Sequence, residues 1–145
     1  MKPNETVDYH IKSTWHALTR MHNRIAGGYG LTQASAYVLM NIAREGTPAT
    51  KIAPLIGMEP TSLSRLLKSL EKKGLLYRVG DLEDKRVIRI FLTEEGLIKK
   101  KIALEVIQRF NERVQRMVNK ADATVFFSVI QTINAATSDF EPVII

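Results

Sequence analysis

Small hydroxyl and basic side chains recur along one side of the segment EPTSLSRLLKSLEKKG, residues 59–74. In a helix, its leucines at positions 63, 66, 67 and 70 fall at i, i+3, i+4 and i+7 and form one apolar stripe. The opposite side then carries Thr61, Ser62, Ser64, Arg65, Lys68 and Lys72. Hydroxyl, guanidinium and ammonium groups hydrogen-bond to base edges and phosphates. The chemistry that this face predicts is therefore noncovalent recognition of nucleic acid.

A second charged group of residues, DLEDKR at 81–86, lies between two runs rich in β-forming residues, 75–79 and 87–92. Two such runs around a short polar loop predict a β-hairpin. Its tip holds Asp84, Lys85 and Arg86. We expect Asp84 to orient Arg86 through a charge-assisted hydrogen bond, so that the arginine enters a narrow minor groove of DNA.

The remaining patterns predict helices. One helix spans about 6–26, a second runs from the capping Thr32 through Arg44, and a short helix containing Pro54 lies within 47–58. Thr93 caps a long helix, and a last helix covers about 122–137 before an apolar tail at 139–145. The predicted inward residues are Ala36, Leu39, Met40 and Ala43 in the second helix, Ile52, Ala53 and Ile56 in the short helix, and Phe126, Val129, Ile130 and Ile133 in the last. The fold class is mainly α with a small β-hairpin, and the tight GMEP turn predicts a helix-turn-helix.

Composition limits the choice of function. The 145 residues suffice for one domain, and the absence of cysteine excludes disulfides and thiolate metal sites within the chain. The formal charge is +6. Within residues 47–92, nine basic and five acidic residues leave a surplus of four, which favours an anionic partner there. No long apolar stretch indicates export or a membrane span, so we expect a cytoplasmic protein with no membrane partner.

The run GMEPTSLSRLLKSLEKKGLLYRVGDLEDKRVIRIFLTEEG, with its Asp-Lys-Arg hairpin tip and its Leu-Thr-x-x-Gly end, resembles the MarR family of winged helix-turn-helix transcriptional regulators. The resemblance implies a homodimer on a palindromic double-stranded DNA operator, and release by a small-molecule effector. It implies a DNA-binding lobe over 31–92 and a helical dimerisation region built from 1–30 and 93–145. By matched position, Thr61, Ser62, Ser64 and Arg65 meet the major groove, and Arg86 meets the minor groove.

The chain departs from parts of the family pattern. Thiol-sensing members need a cysteine, which is absent here, and no cluster of histidine and acidic residues indicates a zinc sensor. His10, His16 and His22 are six residues apart, so each is rotated by about 120° from the last on a helix and one helix cannot bring them to a single metal. No metal and no cofactor is expected. Asp81 and Glu83 add negative charge to the hairpin tip, which predicts only modest affinity for the minor groove.

Each assignment has a simpler alternative. The polar helix face that contains Arg65 has a simpler interpretation as an ordinary solvent-exposed face. Arg86 has the alternative of pairing only with Asp84. Trp15 and His16 are candidates for an effector pocket, and packing in a dimer interface is the alternative for Trp15. For the whole protein, the first hypothesis is a transcriptional regulator that acts as a repressor or an activator. The alternative is an interaction module for protein or structured RNA. An enzyme finds no support, because no nucleophile elbow, phosphate-binding glycine loop or metal spacing occurs.

Overall fold

The structure, a computed structural model, describes residues 2–138 together with Phe140 and Glu141. After a short turn at Pro3–Glu5 the elements are α1 (Val7–Gly27), α2 (Gln33–Met40), β1 (Thr47–Pro48), α3 (Ala49–Ile56), α4 (Pro60–Lys72), β2 (Leu76–Gly80), β3 (Ile88–Leu92), α5 (Glu94–Met117) and α6 (Lys120–Ser138). This order confirms the predicted fold class. The chain forms two compact units, residues 1–105 and 106–145. The predicted division into a DNA-binding lobe and a dimerisation region depends on a second copy and stays a prediction.

The core of the first unit lies between α2, α3, α4 and the sheet. Its fully buried side chains are Val38, Leu39, Ile42, Ile52, Leu70, Leu76 and Ile90. Leu63 and Leu67 are also buried, and Leu66 packs against the core from its edge. Burial of each leucine contributes about 1.5–3 kcal/mol, so the stripe determines which side of α4 faces inward and which faces solvent.

Helix α2 is shorter than predicted, because it ends at Met40 and not at Arg44. Asn41 leaves the helical conformation with φ −92° and ψ 0°. The Ala43 N–H, which would have continued the helix, donates instead to Thr47 Oγ1 at 2.9 Å. The chain then enters β1, a two-residue strand that the sequence did not predict.

The early end of α2 also changes its buried face. Leu39 is fully buried as predicted, but the other three expected core residues are only half-buried: Ala36, Met40 and Ala43. Val38, which was not among the predicted core residues, is fully buried instead. The expected repeat of 3.6 residues stops before position 43, so the prediction for Ala43 was wrong for that reason.

The three strands form an antiparallel sheet in the order β1-β3-β2. In the predicted hairpin, which is confirmed, Leu76 pairs with Leu92 and Arg78 pairs with Ile90. On the outer face the rings of Tyr77 and Phe91 stack with centroids 5.5 Å apart. The sheet therefore holds the hairpin against the core by one face and leaves its tip, residues 81–87, free to project.

The second unit contains the C-terminal part of α5 and the whole of α6. Its predicted core is partly wrong for the single chain: Ile130 and Ile133 are half-buried, but Phe126 is 58% exposed and Val129 is also exposed. Met117, at the end of α5, is exposed as well. Among the described residues of this chain, none covers Phe126, Val129 or Met117 enough to bury them.

The N-terminal helix α1 buries no residue completely. Thr6 caps it by accepting a hydrogen bond from the Tyr9 N–H at 3.2 Å, close to the predicted start. In the part of the chain that the structure describes, no helix has the length and apolar character needed to cross a membrane. Apart from Phe140 and Glu141, the predicted apolar tail lies outside the described residues.

Candidate nucleic-acid interface

The turn between α3 and α4 is set by three local features. Gly57 ends α3 in the left-handed conformation, with φ +64°, which glycine adopts without strain. The Met58 N–H then donates to the Ala53 carbonyl oxygen at 3.1 Å and closes the turn. Pro60 begins α4, where its missing N–H is not needed. The two helices thus form the predicted helix-turn-helix.

The face of α4 opposite its leucines is open to solvent over its whole length. All six residues that the sequence singled out on this helix are exposed: Thr61, Ser62, Ser64, Arg65, Lys68 and Lys72. Among the described residues, none of the three basic side chains in that set forms an ion pair. Their charge is therefore not neutralised within the chain and is available to an anionic partner. Their predicted DNA contacts stay a prediction.

The hairpin is tied to the end of α4. Arg78 in β2 donates from Nε to Glu71 Oε2 at 3.1 Å. Lys73, just after α4, donates from Nζ to the Gly30 carbonyl oxygen at 3.0 Å. These contacts link α4 to β2 and to the loop before α2, so the helix and the hairpin keep a defined relation.

Asp81 organises the tip of the hairpin. One carboxylate oxygen accepts from the backbone N–H of Glu83 at 2.9 Å and of Asp84 at 3.2 Å. The other accepts from Arg89 Nε at 2.5 Å, and Arg89 also donates to the Gly46 carbonyl oxygen at 3.3 Å. The hydrogen bond from Arg89, followed by the two backbone donors, lowers the pKa of Asp81 to about 2.

The role of Asp81 was missed at the level of sequence, where this residue counted only as a negative charge facing DNA. A signal was present, because an aspartate often accepts from the backbone two residues further on in a turn. The sequence does not show that Arg89, eight residues away, turns its side chain back to the same carboxylate.

Arg86 and Asp84 form the pair that the sequence predicted. Asp84 Oδ1 accepts from the backbone N–H of Arg86 at 3.0 Å and from its Nε at 3.2 Å. The Arg86 side chain is 92% exposed, so the pair contributes little to stability but restricts the direction of the guanidinium. Lys85 beside it is also exposed. Whether these residues touch DNA stays a prediction.

Charge is distributed unevenly over this surface. Residues 81–89 hold three acidic and three basic side chains, so the tip is neutral overall. Helix α4 has three basic residues against Glu71 alone. The electrostatic attraction for an anion therefore comes from α4 and not from the hairpin tip.

Trp15 and His16, the predicted effector-pocket residues, are exposed in the single chain, and Trp15 is 59% exposed. A groove of about 600 Å³ lies elsewhere, in the helix-turn-helix. Its lining is mostly apolar and consists of Ala49, Thr50, Ala53, Pro54, Gly57, Met58, Glu59, Pro60, Leu63, Ser64, Leu67 and Arg78. The Nη2 atom of Arg78 is buried without a hydrogen-bond partner. In the described part of the chain, no group of three histidine or acidic residues is arranged to hold a metal ion.

Helix α3, the turn, helix α4 and the hairpin beside it define a winged helix-turn-helix protein, in which β2 and β3 form the wing. Residues 29–87 match the family model described as "MarR family". The match covers the helix-turn-helix and most of the hairpin, so it confirms the resemblance seen in the motifs of this segment.

Curated relatives agree with this assignment. The HTH-type transcriptional repressor MdtR of Bacillus subtilis is 34% identical over 71 residues, which cover 48% of this chain and 46% of MdtR. The HTH-type transcriptional regulator SarZ of Staphylococcus aureus is 36% identical over 86 residues, 58% of each chain. The chain thus spans about half the length of the curated relatives it matches. These relatives are regulators and not enzymes, in agreement with the prediction of a protein without catalytic activity.

Solved structures extend the likeness of fold beyond the lobe. The MepR–DNA complex of S. aureus superposes with a TM-score of 0.83 at 18% identity and covers 91% of this chain and 98% of that one. The transcriptional regulator SlyA superposes with a TM-score of 0.79 at 24% identity and covers 90% and 92%. At these identities the likeness shows the fold alone.

Proposed function

We propose that this chain is a sequence-specific DNA-binding transcriptional regulator that acts in the cytoplasm as a homodimeric repressor on a palindromic operator. The observation that carries the proposal is the exposed face of α4, where hydroxyl and unpaired basic side chains lie opposite a buried leucine stripe. Structures of MepR and of Streptococcus pneumoniae FabT in complex with DNA have the same fold, with TM-scores of 0.83 and 0.80, and support the choice of partner.

The side chains of α4 divide into two groups in this proposal. Thr61, Ser62, Ser64 and Arg65 lie in the first half of the helix, the part that meets base edges when a recognition helix enters the major groove. Arg65 pairs with guanine through two hydrogen bonds, which discriminates against other bases by about 1–3 kcal/mol. Lys68 and Lys72, further along, bind phosphates and position the helix. Arg86 on the wing enters the minor groove, oriented by Asp84.

Dimerisation explains the apolar residues that the single chain leaves in solvent. Phe126, Phe127 and Val125 form one exposed apolar group on α6, and Trp15 is exposed on α1. We place these residues in the interface between two copies, built from 1–30 and 93–145, with the lobe 31–92 facing DNA. Two recognition helices about 34–36 Å apart then reach successive major grooves. Sizing chromatography with light scattering should give twice the mass of the chain; a monomer would contradict this part.

Release by a small molecule completes the proposal. Trp15 and His16 remain candidates for its binding site once a second copy covers them. The groove between α3 and α4 is a further candidate, because its lining is mostly apolar. A ligand in that groove would touch the helix that reads DNA and would weaken binding directly.

Anisotropy titration of labelled duplexes tests DNA binding. The probe is the duplex upstream of the reading frame of this protein, with a scrambled duplex for comparison. Specific binding that neutralises about 6–10 phosphates should weaken by about 10³–10⁵ between 50 and 200 mM salt. Equal, weak binding to both duplexes would favour the alternative of an interaction module for protein or RNA.

Two substitutions separate reading of sequence from positioning. Arg65→Ala should lose discrimination at one base pair of each half-site, because that pair loses its bidentate contact. Lys72→Ala should weaken all duplexes alike and reduce the salt slope by about one. Lys120→Ala, an exposed lysine of α6, serves as the control for loss of one positive charge. Equal losses on operator and scrambled duplex for both α4 variants would contradict the division of roles.

A further inference from the structure

Leu82 occupies the tip of the wing and is 98% exposed, more than any other large apolar residue that the structure describes. A single exposed leucine is common on protein surfaces and by itself indicates nothing. The surroundings of Leu82 distinguish it, because the loop around it is held by hydrogen bonds on both sides.

Four hydrogen bonds fix the backbone that carries Leu82. The Asp81 carboxylate accepts from the N–H groups of Glu83 and Asp84, so it spans the backbone on either side of the leucine. At the base of the loop, the Asp81 N–H donates to the Val87 carbonyl oxygen at 2.8 Å, and the Val87 N–H donates to the Asp84 carbonyl oxygen at 2.9 Å. The leucine side chain is thus presented outward from an ordered turn.

The charges of the tip sum to zero, so net charge does not draw the wing to DNA. Asp81 is paired with Arg89, and Asp84 is paired with Arg86. The remaining charges of the tip, those of Glu83 and Lys85, are opposite in sign and cancel in the net charge. Any affinity of the wing for a groove must therefore come from directed contacts and not from net charge. The sugar walls of the minor groove offer apolar surface, and leucine is one of the side chains that minor-groove proteins insert there.

We propose that Leu82 enters the minor groove of the operator beside Arg86 and packs on the sugars and base edges of its floor. Arg86 supplies the ionic contact, and Leu82 supplies the apolar contact that a neutral wing needs. The inference rests on the proposed function, since it requires operator binding. It differs from the sequence-based expectation, in which Arg86, oriented by Asp84, engaged the groove and Asp81 and Glu83 only weakened its affinity.

The test compares Leu82→Ala with Leu82→Met and Arg86→Ala in operator titrations at several salt concentrations. Because Leu82 makes almost no contact with the rest of the chain, all of its variants should unfold at the wild-type temperature. Leu82→Ala should lose about tenfold in affinity at every salt concentration, because it removes buried apolar surface and no charge. Leu82→Met should keep most of the affinity. Arg86→Ala should in addition lower the salt slope by about 0.9.

A second measurement tests whether the Leu82 side chain lies in the minor groove. Replacing adenine by 2,6-diaminopurine at the wing contact adds an amino group to the minor groove and leaves the major-groove edge unchanged. The substitution should weaken the wild type and have a smaller effect on Leu82→Ala. If the wild type prefers the operator and Leu82→Ala binds it equally well, the inference alone is overturned. If the wild type shows no preference for the operator, both the inference and the proposed function are overturned.

Discussion

Gly96, in the first turn of α5, is predicted to tolerate no side chain at all. A Cβ atom at this position would lie 1.9 Å from the Leu75 carbonyl oxygen, and real Cβ atoms essentially never come within 3.0 Å of such a neighbour. The obstacle is backbone and not a flexible side chain, so α5 and the start of β2 would have to separate by about 1 Å in a close-packed region. This close approach explains why the Leu-Thr-x-x-Gly pattern ends in glycine.

The cost of Gly96→Ala follows from these contacts. Overpacking of a dense region costs about 1–3 kcal/mol. The Leu75 carbonyl oxygen also accepts the Thr93 N–H at 3.1 Å, and loss of that hydrogen bond adds about 0.5–1.5 kcal/mol. We therefore expect destabilisation of about 2–4 kcal/mol, which lowers the melting temperature of a domain of this size by about 5–15 °C.

Urea and thermal unfolding at one fixed protein concentration measure the effect. Gly27→Ala is the matched control, because it makes the same substitution in α1 at a position with nothing within 4 Å of the new Cβ. There the smaller entropy of the unfolded chain should leave stability unchanged or raise it by about 0.4–1 kcal/mol. If Gly96→Ala unfolds like the wild type, or no earlier than Gly27→Ala, the reasoning from the Leu75 contact is refuted.

Three further predictions concern the wing, a helix cap and the core. Because its pKa is lowered to about 2, Asp81 should remain ionised at pH 3.8, the pKa of an unperturbed aspartate; its ion pair with Arg89 holds above that pH and is lost as pH falls through about 2. Carboxyl NMR shifts check this, and half-protonation at pH 3.8 would contradict it. Thr32→Ala removes the acceptor for the Ser35 N–H and should lower the free energy of unfolding, measured in urea, by about 1 kcal/mol. A decrease of less than a few tenths of a kcal/mol would contradict this prediction. Leu70→Ala, at a side chain only 1% exposed, should cost about 2–5 kcal/mol, and a cost below 1 kcal/mol would show that the site collapses around the gap.

Several features could be predicted from sequence because they depend on neighbours along the chain. The leucine stripe of α4 has helical spacing, so the polar face of the helix followed without coordinates. Pro60, Thr32 and Thr93 marked the starts of helices, and the alternation of β-forming runs with a charged loop marked the hairpin. The pairing of Asp84 with Arg86 was equally local, since the two residues are separated by one position.

Other features depend on side chains from outside the element concerned, and only the tertiary structure decided them. The end of α2 was set by Thr47, which takes the Ala43 N–H from a different element. The role of Asp81 was set by Arg89, whose side chain returns from the opposite strand of the hairpin. In both cases the hydrogen-bond partner lies outside the element concerned, and the repeat of the helix or strand contains no information on such partners.

The apolar faces of α1 and α6 mark the remaining limit. Sequence periodicity shows that these faces exist, and the hydrophobic effect requires a cover for them, but periodicity does not say whether the cover belongs to the same chain. In the structure of a single copy, Phe126 and Trp15 stay exposed, so the described residues of the same chain do not cover them. The sequence by itself therefore determined the elements, the helix-turn-helix and the polar face of α4. The tertiary structure decided which side chains hold the wing in place and which apolar surface stays exposed in the single chain, because burial and hydrogen bonds between elements are properties of the folded chain.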